Sequence, residues 1–134
     1  MIPSTNTILS TDLEVKTQPS KQHHMDLSLM RISGTCTDLE AIRQTIYKIL
    51  NTERFAYLIY SWNYGIELKD LYGKPLRLVC PELEDRIKEA LMQDDRIKEV
   101  DSFDFDTSKK GTVSVKFTVH TIYGLLDEEM AVNI

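Results

Sequence analysis

Cysteine is scarce in this chain of 134 residues: Cys36 and Cys80 are the only two, and they form no C-x-x-C pair. That pattern offers neither a disulfide framework nor a structural zinc site, and both read as small, semi-buried apolar side chains. Long hydrophobic runs are missing too. The longest, around Ala56–Tyr60, falls far short of the roughly 20 apolar residues that a membrane-crossing helix needs, so no membrane partner is expected. The opening residues MIPSTNTILSTDLE lack the basic and apolar blocks of a secretory signal, which leads to the expectation of a cytoplasmic chain.

Positive charge never gathers in one place. Sixteen Lys and Arg are interspersed among 21 Asp and Glu for a net charge of −5, so the electrostatic footprint of a nucleic-acid binder is absent. The five glycines, at 34, 65, 73, 111 and 124, stand singly as turn formers, and no glycine-rich phosphate cradle exists. His23, His24 and His120 share no metal-ligand spacing. No metal, cofactor or nucleotide is therefore expected.

What is present suits one soluble domain. A hydrophobic share of 42% with 28% charged residues is ordinary for a chain that buries a single core. Residues 1–21 are rich in Ser, Thr, Gln and Pro and read as an extended arm; residues 22–134 read as the domain. Gln22 to Ile32 suits short strands, with Ser33-Gly34 as the turn. Thr37-Asp38-Leu39-Glu40 has the form of a capping box, and Leu39, Ile42, Ile46, Ile49 and Leu50 recur at helical spacing, which predicts a helix over 38–50.

Arg54 to Trp62 contains FAYLIYSW, whose β-branched and aromatic content predicts an extended, buried path, ended by Asn63-Tyr64-Gly65. A short helix fits Ile66 to Tyr72. Pro81 then suits the first turn of a second helix ending near Gln93, with Glu82, Glu84 and Asp85 at its positive end and Leu83, Ile87, Ala90 and Leu91 as its stripe. Ile97–Phe105 alternates loosely, 108–111 is a turn, and Val113, Val115, Phe117 and Val119 alternate strictly with polar residues, which predicts an antiparallel hairpin. The expected fold is α+β: a small antiparallel β-sheet with two main helices packed on one face, a C-terminal β-hairpin and an extended N-terminal arm.

Chemistry finds little purchase. Glu53, with Asp70 or Glu67 as a second carboxylate near Trp62 and Tyr64, is the one arrangement resembling a glycan-cleaving pair, and the plainer reading makes Glu53 and Arg54 an ion pair at the helix exit. Asp94-Asp95-Arg96 reads either as a solvated, Asp-capped turn or as a guanidinium clamp across a subunit junction. Asp101, Asp104 and Asp106 lack the Gly and Glu of a calcium loop and read as a solvated edge. An arm, an open sheet edge and aromatics near Tyr57–Tyr64 favour assembly by strand addition over catalysis.

The runs AIRQTIYKILNTERFAYLIYSWNYGIELKDLYGKP, ELEDRIKEALMQDDRI and VKFTVHTIYG resemble the XkdS-type tail proteins of PBSX-like phage elements, a family similar to the baseplate wedge proteins of contractile tails. The resemblance covers roughly Ser33 onward. It implies a non-enzymatic wedge subunit that assembles with larger wedge proteins and templates the tail sheath protein, in several copies around the tube, first in the cytoplasm and then in the particle. It also implies an interface role for Asp94 and Arg96, because many relatives carry Glu-Pro-Arg where this chain has Asp94-Asp95-Arg96, without the proline. Glu53, Arg54, Trp62 and Tyr64 complete the expected interface. A lysozyme label in the wider family supplies the alternative of a peptidoglycan-cleaving hydrolase; a free protein-binding adaptor is a second.

Overall fold

The computed structural model describes residues 20–134, so the expected arm lies outside the described residues except for Ser20 and Lys21. Strands β1 (Lys21–Asp26) and β2 (Arg31–Thr37) form a two-stranded antiparallel sheet. Their reversal is not at Ser33-Gly34. The Asp26 carboxylate accepts the N–H groups of Ser28 and Leu29 at 3.0 and 3.1 Å, turning the chain at 27–30. Gly34 (φ +68°) instead sits inside β2 where the register shifts, so the glycine marks a bulge, the other use of a left-handed residue near a hairpin.

Helix α1 spans Asp38–Leu50, as its periodicity predicts, and buries Ala41, Ile42, Ile46, Ile49 and Leu50. The capping box does not form: the Thr37 side chain makes no cap hydrogen bond, and Asp38 enters the helix with φ +55°. β2 runs straight into the helix, and the Asp38 N–H donates to the Ser20 carbonyl at 3.1 Å, so the residue leading into β1 does the capping.

Helix α2 spans Leu76–Leu91, with Pro75 at its N-cap and Pro81 in its second turn. The expected start at Pro81 is thus five residues late, and Glu82, Glu84 and Asp85 are mid-helix rather than at the positive end. Two of these acids serve side-chain pairs, Lys88–Glu84 at 2.6 Å and Lys74–Glu82 at 3.2 Å. A proline one turn inside a helix forfeits a hydrogen bond to a carbonyl near the open end, where the loss is smallest. Between the helices the expected short helix shrinks to a 3-10 turn, Lys69–Leu71.

Strands β3 (Ile97–Asp106), β4 (Thr112–Thr121) and β5 (Gly124–Asn133) form an antiparallel sheet in the order β3-β4-β5. The predicted hairpin is β3–β4, but β5 is an additional strand that makes β4 central. Its inward positions include Glu128 beside Leu126, Met130 and Val132, so its alternation is broken in the middle. Val113, Val115, Phe117 and Val119 close against α1 and α2 with Leu83, Ile87 and Leu91, and all seven are buried. Burial of this aliphatic set at roughly 25 cal/mol per Å² is what holds helices to sheet.

Candidate functional site

The stretch expected to run extended and buried does neither. Residues 54–64 advance through consecutive turns, with N–H groups donating three residues back, as from Tyr60 to Tyr57 at 3.4 Å and from Tyr64 to Ser61 at 3.1 Å. Phe55, Leu58, Ile59 and Trp62 are 67%, 103%, 85% and 78% exposed. The loop's ends are tied: Ile66 N–H donates to the Thr52 carbonyl at 2.9 Å, and Arg54 N–H to the Ile66 carbonyl at 3.0 Å. Gly65 (φ +97°) makes that closure possible, since a Cβ there would lie 2.5 Å from the Thr52 carbonyl oxygen. With both ends pinned, the residues between cannot join a sheet and are pushed out as a compact loop.

Beside this loop lies an open cleft of about 180 Å³ between α1 and the end of α2, lined by Thr45, Ser61, Asn63, Tyr64, Gln93 and Asp94 among others. Asn63 donates its side-chain amide to the Gln93 side chain at 3.0 Å, fastening loop to helix. Tyr64 is half-buried and stacks on Tyr60 at 4.6 Å, and Tyr60 meets Tyr57 edge-on at 6.0 Å. Burial, and then the Tyr60 hydroxyl, push the Tyr64 phenol up.

Asp94, on the cleft wall, is gripped by the Arg96 guanidinium, which donates from Nε at 2.9 Å and from Nη2 at 2.6 Å, while the Arg96 backbone N–H donates at 3.0 Å. Its other contacts reach Ser20 Oγ at 3.1 Å and Thr45 Oγ1 at 3.3 Å. Arg96 therefore staples three pieces of its own chain: the approach to β1, helix α1, and the corner leading into β3. Burial pushes the Asp94 carboxyl up, but the hydrogen bonds from Arg96 outweigh it and hold the group below the ordinary carboxylate range. The geometry is a half-buried bidentate pair rather than a solvated turn.

Glu53 and Arg54 do not pair with each other. Glu53 turns back to accept the N–H groups of Leu68 and Lys69 at 3.2 and 3.3 Å, whereas Arg54 crosses to Glu89 on α2 at 3.1 Å with its side chain nearly buried. The chain leaves the isolated Glu53–Ile66 bridge and enters the turns at Arg54, and the two side chains leave on different sides. Asp70 is held by the Arg86 guanidinium, which depresses its carboxyl to about 2. The structure thus gathers Tyr64, Asp94 and Arg96 about one cleft with Trp62 on the adjoining loop, and sets Glu53 and Arg54 to work as loop anchors.

One cluster escapes the sequence because its members lie far apart in it. Glu99, Asp101 and His120 place their ligand atoms within 4.8 Å of one another on the outer face of β3–β4. His120 Nε2 and Asp101 Oδ2 are 2.9 Å apart, so the arrangement is first of all an exposed His–Asp hydrogen bond. Among the described residues no helix is long and apolar enough to cross a membrane.

Three comparisons bear on this geometry. The profile of the contractile injection system sheath initiators matches residues 19–124. A curated relative, the phage-like element PBSX protein XkdS of Bacillus subtilis (strain 168), is 39% identical over 133 residues, covering 91% of either chain. Among solved structures, a candidate tail lysozyme from Geobacter sulfurreducens shares the fold with a TM-score of 0.60, over 71% of this chain and 89% of the other, at 19% identity.

Proposed function

This chain belongs to the contractile injection system sheath initiator family, with a structural role in a phage-type tail, and from that premise we propose that it is a non-enzymatic baseplate wedge subunit with two working surfaces. The turn-built loop and its cleft dock on larger wedge proteins, and a free sheet edge takes a strand of the tail sheath protein. The subunit assembles in the cytoplasm and is retained in the finished particle, in several copies around the tube.

The observation that carries this reading is the loop itself. Eight consecutive uncharged residues, Phe55 to Trp62, are raised into solvent in a chain that is 28% charged. Exposed apolar patches of that kind mark protein–protein contacts, and aromatic anchors ringed by polar groups dominate their energetics. Tyr64, Asp94 and Arg96 supply that polar surround. The acids nearest a glycosidase arrangement favour the same reading. Glu53 is committed to two backbone N–H groups and Asp70 to Arg86, and a carboxyl held near 2 is no general acid at neutral pH.

Co-expression with the neighbouring tail genes tests the reading, with the purified material also assayed on peptidoglycan. A stable complex that leaves peptidoglycan intact is expected. Peptidoglycan cleavage that disappears in Glu53→Gln, with no complex formed, overturns it in favour of a hydrolase.

A further inference from the structure

Two interruptions in one strand bring a set of metal-binding side chains together. The pairing of β3 with β4 shifts register between Ile97 and Glu99 and again between Asp101 and Asp104. At the first shift two steps along β3 meet one along β4, so Lys98 is the extra residue of a bulge. Its effect is on phase. Ile97 and Val100, three apart, are both buried, and Glu99, which a plain alternation would turn inward with Ile97, faces out instead. There it stands directly opposite His120 on β4. Asp101, two residues on, shares that outer face, and the second bulge, where Ser102 takes a φ of +56°, ends the aligned run just after it.

The donor atoms converge as that register requires. His120 Nε2 lies 2.9 Å from Asp101 Oδ2, and one ligand atom from each of Glu99, Asp101 and His120 falls within 4.8 Å of the others. Two ligands on a tetrahedral zinc ion, each about 2.0–2.2 Å from it, stand roughly 3.4 Å apart. The His120–Asp101 gap therefore has to open slightly and the exposed Glu99 carboxylate to swing inward, both within reach of ordinary rotamer changes at a surface. The hydrogen bond from His120 holds the Asp101 carboxyl below the ordinary carboxylate range, so it is an anion ready to ligate at neutral pH. Lys88, whose charge also acts on Asp101, has its ammonium engaged by Glu84 at 2.6 Å. Asp127 on β5, bound to Thr118 at 2.8 Å, adds negative charge to the same face.

We propose that Glu99, Asp101 and His120 form a binding site for one divalent first-row transition-metal ion, with Zn²⁺ the best fit and water completing its coordination. The imidazole is what distinguishes this set from a plain acidic cluster. One ring nitrogen with two carboxylate oxygens suits Zn²⁺, whereas Ca²⁺ and Mg²⁺ favour sets made of oxygen alone. Nε2 ligates through its lone pair, so the ring carries its proton on Nδ1, a tautomer exchange that water permits at a partly exposed ring. The bound ion clamps β3 to the central strand between the two places where the ladder is broken. The site does not depend on the docking surfaces above.

Calorimetric titration of Zn²⁺ into the full chain, stripped beforehand with a chelator, tests the site, with backbone amide resonances followed in parallel. One equivalent is expected to bind, to shift the amides of Glu99, Asp101 and His120, and to raise Tm by about 3 °C or more at a tenfold excess over Kd. Affinity should fall about tenfold or more in His120→Gln and in Glu99→Gln, each of which removes one ligand. Both changes lie on the surface, so the metal-free Tm should stay at the parental value and the loss reports the site rather than the fold. His24→Gln, which removes a second ring that meets a carboxylate, Glu40 at 3.3 Å, should bind Zn²⁺ as the parent does. Undiminished affinity in His120→Gln and Glu99→Gln, loss in His24→Gln instead, Ca²⁺ bound as tightly as Zn²⁺, or no binding at all overturns the proposal.

Discussion

Two stretches of this chain, both rich in apolar side chains, have opposite fates. Val113 to Val119, VSVKFTV, is the sealed centre of the sheet, with Phe117 2% exposed; Phe55 to Trp62, FAYLIYSW, stands in solvent, with Leu58 at 103%. Composition points the wrong way, since the more apolar of the two is the exposed one, and period is what separates them. The first alternates apolar and polar at every step and so presents one face for burial, whereas the second is apolar at every position but Ser61 and has no alternation to present one. Its anchors decide the rest: Glu53 fixes the turn at Leu68 and Lys69, Gly65 folds the chain back on Thr52, and eight uncharged residues are left outside. An apolar run with pinned ends stays on the surface, and one with a period of two is a core strand.

The sharpest way to break that comparison is to truncate its buried half. Phe117→Ala is expected to destabilise by about 3–5 kcal/mol, the loss for a large buried aromatic, and Ile46→Ala or Ile87→Ala by about 2–5 kcal/mol, read from urea midpoints. An unchanged midpoint in Phe117→Ala would mean that the β4 face is no core, and in Ile46→Ala or Ile87→Ala that the helix faces are none. Next comes the hinge of the exposed half. Gly65→Ala puts a methyl against the Thr52 carbonyl in a left-handed backbone, and a cost of about 1–3 kcal/mol follows from overpacking. An unchanged midpoint would show that the loop closes without Gly65.

The same contrast explains what the sequence discloses. Helix α1 and strand β4 are legible because each has an unbroken period that its burial obeys, and with the turn at 108–111 they bring the β3–β4 hairpin and the α+β layering with them. β5 is not, since Glu128 occupies an inward position and hides the alternation; burial pushes that carboxyl up while Arg43, at 2.9 Å, pulls it down. The start of α2 is misplaced because Pro81 looks like a first-turn residue, and nothing local reveals that Pro75 takes that end. Of the candidate site, Asp94 and Arg96 are visible as a motif, but their partners Ser20 and Thr45 come from distant segments. The separation of Glu53 from Arg54 depends on which way the chain turns after Asn51.

The staple behind the cleft ranks below the hinge. Asp94→Asn removes the ionic half of a bidentate pair, and a loss of about 1–2 kcal/mol is expected from a hydrogen-bonded charge of this kind. Its pH dependence has a definite sign. The folded carboxyl lies below its ordinary value, so the folded state binds its proton less tightly than the unfolded chain does. The stabilisation is fully present above the ordinary carboxylate range and is lost as pH falls through the depressed folded value. Asp94→Asn should therefore flatten the acid limb of the stability curve, and a limb of unchanged slope would place the acid sensitivity elsewhere.

The smallest expected effect on stability is the most informative about role. Leu58→Ser with Ile59→Ser changes two side chains that touch almost nothing in the folded chain, so the unfolding midpoint should move by no more than about 0.5 kcal/mol. If the loop is the docking surface, the same variant should lose about tenfold or more in affinity for the wedge complex isolated by co-expression, because exposed apolar anchors concentrate binding energy. A marked drop in stability would show that the loop is folded inward in solution and that its apolar content belongs to the core after all. Full stability with undiminished complex formation would make it an ordinary surface loop and move the docking role to the sheet edge. The informative result is the dissociation itself, a chain as stable as the parent that no longer assembles, since no buried strand could behave that way.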